Sequence, residues 1–192
     1  MAVKIENKIV DSLERISQAF RVLLWNQSKK YQLSPIQIRI LVFLSNCAEQ
    51  NSDISRLSKE FDLSKATISD SVKALKRKKL IDRIQMKSDA RAYLIKLTSE
   101  GNDLAIKCGR FNDSLLESVK LLPEENHEYL YTNLLGILQY LNKSGVISTQ
   151  RMCSTCHYFS IDTKGPQYFC RLMNQPLLVK ELRIDCPEHL NK

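Results

Sequence analysis

Leu63-Ser64-Lys65-Ala66-Thr67-Ile68-Ser69-Asp70-Ser71-Val72-Lys73-Ala74-Leu75, running on into Lys76-Arg77-Lys78-Lys79, is the stretch whose reading decides the fold. Ser64 suits a helix N-cap, because its hydroxyl accepts from one of the unpaired first N–H groups. Behind it, Ala66, Ile68, Val72 and Leu75 fall at helical spacing and are expected to face a core. Lys65, Thr67, Ser69, Lys73 and Lys76 are then left facing outward. Short hydroxyls and lysines on one helix face suit base edges and phosphates. The expected partner is double-stranded DNA, and the expected role of this stretch is a recognition helix.

Working outward, Asn51-Ser52-Asp53 opens a short helix, Ile54 to Phe61, with Leu57 inward. Asp62-Leu63-Ser64 turns into the quoted stretch, which makes a helix-turn-helix. After Leu80 the period shortens to two. Residues 81–87 and 92–98 alternate as half-buried strands, with Ser88-Asp89-Ala90-Arg91 as a polar turn. A hairpin directly after a recognition helix is a wing. Upstream, Leu33-Ser34-Pro35 starts a helix reaching about Cys47, with Ser34 as cap and Pro35 at the first position, where its missing N–H costs nothing. Before that, Ile9, Leu13, Ile16, Phe20, Leu23 and Leu24 stripe one long helix from Ile5 to about Lys30. Downstream, one helix is expected from Glu100 to Leu121 and another from Glu124 to about Asn142. Their apolar faces exceed what a small wing domain covers, so they are expected to pair across a homodimer. The fold class is therefore mainly α: a winged helix-turn-helix with a two-stranded wing, flanking dimerisation helices and a small C-terminal segment.

The totals agree. The chain has 192 residues, 43% hydrophobic and 26% charged, with 5 Gly and 5 Pro, which favours helices over a turn-rich β fold. Of the net charge of +8, the segment 64–91 supplies +6, from nine Lys/Arg against three Asp/Glu. Charge confined to one segment points to a polyanion site. A solvated helix end accounts equally well for Lys76–Lys79 taken alone. The N-terminus lacks the apolar core of a secretory signal, and no run approaches the ~20 apolar residues of a membrane span. A cytoplasmic protein without a membrane partner is expected. No phosphate-binding glycine loop, zinc-protease helix or nucleophile elbow occurs, so an enzyme is not expected.

From Arg151 the composition changes. Cys153, Cys156, Cys170 and Cys186 are spaced C-x2-C-x13-C-x15-C, with His157 and His189 beside them. A segment this short seldom closes a core unaided. Four thiols with one knuckle in a reducing compartment favour a metal centre. Zinc is the first expectation; structural zinc often uses two knuckles, and only one is present. An iron–sulfur cluster is the alternative, since it accepts scattered cysteines, and free thiols or disulfides are the remaining reading. Tyr158, Phe159, Tyr168 and Phe169 are candidates to shield either, and Arg151, Arg171 and Arg183 to offset the thiolate charge. Such a centre would let a metal or redox signal bias DNA binding; a purely structural zinc clip is the plainer alternative. A thiol–disulfide oxidoreductase built on Cys153 and Cys156 is least supported, because its βαβ context is missing. Cys47 and Cys108 sit on or beside apolar faces and are expected in the core. His127 is expected at the surface or in helix packing rather than as a ligand.

Residues from about Leu33 to Gly101 resemble the MarR family of bacterial transcription regulators. The likeness is carried by Leu33-Ser34 with Leu41, Ile54-Ser55-Arg56-Leu57-Ser58, Leu63 to Ser69, Val72-Lys73-Ala74-Leu75 and, most specifically, Asp89-Ala90-Arg91 with Leu97-Thr98 and Gly101. The resemblance implies a homodimer on a pseudo-palindromic operator, with Arg91 entering the minor groove and Asp89 orienting it. Lys87 joins them as a wing contact, and a small-molecule effector between dimerisation helices and DNA-binding lobe is a family habit. The expected organisation is a dimerisation helix over 1–32, the winged domain over 33–99 and dimerisation helices over 100–145; the four-cysteine tail over 150–192 lies outside the family pattern, which says nothing about it. Two positions depart from the pattern. Lys79 stands where a helix-ending Gly is common, and Asp70 where a basic residue is common.

Overall fold

The computed structural model describes residues 4–46, 52–86, 89–147, 151–162 and 167–192; for residues 86 and 89–92 the description covers the backbone. Two compact units emerge, residues 1–49 with 69–118, and residues 50–68 with 119–192. The division falls inside the quoted helix.

In the first unit, α1 (Ile5–Tyr31) ends where Gln32 turns left-handed, its N–H bonding back to the last turn. Helix α2 (Pro35–Asn46) opens with a reciprocal cap. The Gln37 N–H donates to Ser34 Oγ at 3.3 Å, and the Ser34 N–H donates to Gln37 Oε1 at 3.0 Å. This is the logic of a capping box, and it fulfils the expectation for Ser34 and Pro35. Ile38, Ile40 and Leu41 of α2 are fully buried. Burying one such side chain contributes roughly 1.5–3 kcal/mol. Strands β1 (Ile81–Met86) and β2 (Asp89–Leu97) pair antiparallel from Ile81 opposite Leu97 to Gln85 opposite Tyr93, and the register then shifts so that Met86 faces Asp89. Helix α5 (Ser99–Gly109) packs on α2, and Cys108 is fully buried, as expected.

Two expectations are corrected here. The Ser88–Arg91 turn is shorter than the sequence implied, because Asp89, Ala90 and Arg91 belong to β2 by backbone; Ser88 lies outside the described residues. The single helix from Glu100 to Leu121 is also broken. Helix α5 stops at Gly109, residues Arg110–Asn112 tighten into a 3-10 turn, and α6 runs Asp113–Lys120. Glycine is about 1 kcal/mol worse than alanine inside a helix. Arg110 Nε reaches Asp113 Oδ2 at 2.9 Å across the break. Phe111 turns its ring edge to Phe20 of α1, centroids 6.4 Å apart.

In the second unit, α3 (Ile54–Phe61) is capped by Asp53, which accepts from the Arg56 N–H at 2.7 Å. Its Leu57 is fully buried. Helix α7 (Glu124–Lys143) places two glutamates in its first turn, where they complement the helix dipole. The tail forms a small antiparallel meander, β3 (Phe159–Ile161), β4 (Tyr168–Cys170) and β5 (Gln175–Leu177). Among the described residues no helix is long and apolar enough to cross a membrane.

Candidate nucleic-acid interface and cysteine cavity

The quoted stretch is helix α4 (Lys65–Arg77). Its start is built by Ser64, as expected. Ser64 Oγ accepts from the Thr67 N–H at 3.1 Å and lies 2.9 Å from Thr67 Oγ1, so both hydroxyls serve the cap in this state. Ile68, Val72 and Leu75 are fully buried. Ala66 departs from expectation: it is exposed, and Ser71 is buried in its place. The first turn of a helix still lies outside the stripe that three later residues define, so the periodicity over-reached by one position. Lys65, Thr67, Lys73 and Lys76 are exposed and Ser69 is half-buried.

The Lys76–Lys79 run resolves into two jobs. Lys78 Nζ donates to the Gln32 carbonyl at the end of α1, and Lys79 is left-handed at φ 58°. The Lys79 N–H bonds to the Lys76 carbonyl at 2.9 Å and the Leu80 N–H to the Leu75 carbonyl at 3.1 Å, closing α4 as a Schellman cap. A lysine here costs about 1–2 kcal/mol that glycine would not. Lys76 and Arg77 remain on the open side. With Asp70, Lys73 and Arg83 they line one shallow depression of about 660 Å³. Asp70, the unexplained acid, pairs with Lys73 at 3.2 Å, both side chains well exposed.

Arg83 and Arg77 are site residues that the sequence reading did not single out. Arg83 rises from β1, and its guanidinium lies 4.3 Å over the Tyr93 ring of β2. Its Nε is buried without a hydrogen-bond partner. The signal was available, because Arg83 occupies a polar position of the alternating strand. The wing residues Asp89 and Arg91 are placed by their β2 backbone, and Lys87 and Cys47 lie outside the described residues.

The junction behind the wing is tightly made. The Thr98 hydroxyl donates to the Lys79 carbonyl at 2.8 Å and accepts from the Gly101 N–H at 3.0 Å, and the Thr98 N–H donates to the Leu80 carbonyl at 3.1 Å. A Cβ on Gly101 would stand 1.8 Å from that Leu80 carbonyl oxygen. Only glycine lets α5 start this close to the end of α4.

In the tail, the C-x2-C knuckle is a 3-10 turn over Cys153–Thr155, Cys170 ends β4, and Cys186 lies beyond β5. All four tail cysteines are unbridged and line one cavity of about 60 Å³. Cys156 is buried and the others are half-buried. Phe159, Leu172, Met173 and Leu177 supply apolar wall, and Arg183 borders it. The Arg183 N–H donates to Cys153 Sγ at 3.2 Å. Burial pushes the Cys153 thiol up, the Arg183 N–H opposes this, and the neighbouring cysteines add to the rise. Among the described residues, no three His, Cys, Asp or Glu side chains stand as a group that holds a metal ion. His189 is taken by another contact, Nε2 to Thr155 Oγ1 at 2.9 Å, and burial lowers its pKa. His127 is half-buried, with Nε2 3.0 Å from the Val119 carbonyl.

Two bonds tie the tail to the rest of its unit. The Tyr131 hydroxyl of α7 donates to the Leu182 carbonyl at 2.6 Å. Arg151 is buried and pairs with both Asp185 and Glu60 of α3, the latter at 3.3 Å. Of the three arginines expected near the thiols, Arg183 is there, while Arg151 serves this ion pair.

Residues 23–107 match the family of transcriptional regulators SarA/Rot. Among curated protein sequences none matches the chain. Among solved structures, MepR of Staphylococcus aureus in complex with DNA is 24% identical, covering 69% of this chain and 97% of its own, with a TM-score of 0.60. FabT of Streptococcus pneumoniae, also in complex with DNA, is 20% identical with a TM-score of 0.59, covering 72% and 98%. AbsC of Streptomyces coelicolor, a MarR family transcriptional regulator, is 20% identical with a TM-score of 0.61, covering 74% and 98%. The winged-helix fold expected from the sequence is the fold these structures share.

Proposed function

We propose that this winged-helix chain, similar to SarA/Rot and MarR-type regulators, is a homodimeric transcription regulator that reads a pseudo-palindromic DNA operator. The observation that carries this reading is the basic depression beside α4, where Lys73, Lys76, Arg77 and Arg83 meet on the open side of the helix. Lysines there neutralise phosphates, and Lys65, Thr67 and Ser69 are within the same helix for base edges. Ser64 gives its hydroxyl to the cap and contributes a helix N-terminus for a phosphate. From the wing, Lys87 and Arg91 approach the minor groove, with Asp89 orienting the guanidinium.

The dimer is supported by apolar surface that a single chain leaves open. Ile9, Ile16 and Phe20 of α1 are each more than 40% exposed, and so are Leu116 of α6 and Tyr140 of α7. Two copies would set their recognition helices about 34 Å apart, one helical turn of DNA. The tail adds control in this reading, because Arg151 joins it to α3 and Tyr131 joins it to α7. A metal or redox change in the tail then reaches both the helix-turn-helix and the dimerisation helix.

Selection of binding sites from random duplexes tests the reading, followed by affinity measurements between about 50 and 200 mM salt. An enriched sequence with two-fold symmetry and an affinity that falls steeply with salt are expected. No enrichment, with binding indifferent to salt, refutes it.

A further inference from the structure

We propose that Tyr93 is a positioning residue for DNA binding: its ring holds the Arg83 guanidinium at the basic depression beside α4, so that the cation meets a backbone phosphate already oriented. The inference deepens the DNA-reading role proposed above and rests on it.

The register of the wing brings the two side chains together. In an antiparallel pair, residues directly opposite share a face, and every second position repeats it. Ile81 with Leu97, Arg83 with Ile95, and Gln85 with Tyr93 therefore lie on one face of the hairpin. Ile81 and Ile95 of that face are buried, while Ile84 on the opposite face is 46% exposed. An arginine thus occupies the inner face of the wing and an isoleucine the outer. Arg83 and Tyr93 are diagonal neighbours there, a spacing that long and aromatic side chains can bridge. The guanidinium lies 4.3 Å over the Tyr93 ring, and its Nε is buried without a hydrogen-bond partner.

Leaving that N–H unpaired is costly, and the negative face of the ring offsets part of the cost by attracting the cation. The ring also does what a carboxylate could not. It fixes the guanidinium without neutralising it, so the full charge stays available to a phosphate. Lys73, on the same depression, shows the contrast, because it is paired with Asp70 at 3.2 Å. An arginine fork matches phosphate geometry, and one that is already held gives up less side-chain freedom on binding.

The test is the affinity of the full-length chain for a random-sequence duplex, titrated between about 50 and 200 mM salt. Arg83→Ala should weaken binding and make the slope of log affinity against log salt shallower by about 1, as loss of one phosphate contact does. Tyr93→Leu removes no charge. It should weaken binding about 2–5-fold, the worth of a partly exposed cation–π contact, and leave the slope unchanged. Tyr93→Phe keeps the ring and should bind like the parent. In the Arg83→Ala background Tyr93→Leu should change nothing, whereas a tyrosine with a merely structural role would cost the same in both backgrounds. Equal losses in the two backgrounds, or a Tyr93→Phe chain as weak as Tyr93→Leu, overturn the proposal. If Tyr93→Leu does not fold, the other two variants decide: an unchanged slope in Arg83→Ala or a weakened Tyr93→Phe overturns it. A parent chain without salt-dependent duplex binding refutes the DNA reading and this inference with it. A parent that binds while Arg83→Ala behaves identically refutes this inference alone.

Discussion

Replacing Gly101 by alanine should damage the protein far beyond the size of one methyl group. The added Cβ would lie 1.8 Å from the Leu80 carbonyl oxygen, and real Cβ contacts essentially never fall below 3.0 Å. The start of α5 must therefore retreat by at least about 1.2 Å from that backbone. Two hydrogen bonds span this gap, from the Thr98 hydroxyl to the Lys79 carbonyl and from the Thr98 N–H to the Leu80 carbonyl. Each contributes roughly 1 kcal/mol net. Alanine's better helix propensity returns at most about 1 kcal/mol. A net loss of about 1 kcal/mol or more follows, which for a chain of this length lowers Tm by at least about 2–4 °C. Because the same bonds fix the end of α4 against the wing, DNA affinity should fall as well. Calorimetric unfolding and a binding titration measure both effects. A Tm within about 1 °C of the parent would refute the reasoning, since it would mean that α5 does not need this close approach.

Lys79→Gly, at φ 58°, should raise stability by about 1 kcal/mol without changing DNA binding, read from denaturant unfolding. Lys73→Ala and Arg91→Ala should each weaken DNA binding and make the slope of log affinity against log salt shallower by about 1, whereas Asp70→Asn should strengthen binding to random duplexes. Arg151→Ala should destabilise by about 3–5 kcal/mol, because the largely buried Glu60 keeps its charge without this cation; Tm of the pair Arg151→Ala and Arg151→Ala/Glu60→Gln should show partial recovery in the double variant. The buried Cys108 thiol is pushed up from 9.0 to about 11 by burial. The unfolded chain thus ionises first, and stability should decline as pH rises from about 9 to 11. Cys108→Ala should remove that part of the decline in pH-dependent unfolding.

The winged fold was legible because its signals are local. Ser34 with Pro35, Asp53 and Ser64 are caps whose chemistry acts within three residues, and the shift from helical to alternating period marks the wing. The break at Gly109 was not legible, because the apolar stripe continues through it and only Gly109 with the Arg110–Asp113 pair interrupts the helix. Nor was the division of labour in Lys76–Lys79. Four consecutive cations look alike in sequence, and only the Gln32 carbonyl 46 residues away singles out Lys78. Arg83 could be read as an outward polar position of an alternating strand, but not as a neighbour of the α4 residues with which it lines the depression. In the tail, spacing singled out four cysteines that line one cavity but gave no sign of the other residues that border it, Leu172, Glu181 and Glu188 among them. The Glu60–Arg151 bond, 91 residues apart, left no trace in the sequence pattern at all.

In the DNA-reading role proposed for it, α4 would arrive carrying a counterion of its own, the Asp70 carboxylate paired with Lys73. A mobile counterion leaves when phosphate takes its place, and that release favours binding to any duplex. Asp70 is tethered and cannot leave, so Lys73 gains less from a phosphate than a free lysine does. The penalty falls on every sequence alike, except where a base edge offers the carboxylate a donor, as cytosine N4 does. An acid on a reading helix therefore gives up affinity across the genome's bulk and keeps it where the right base is present. In the regulator proposed above, such a helix would favour the ratio between an operator and everything else, which is the quantity a regulator has to win on.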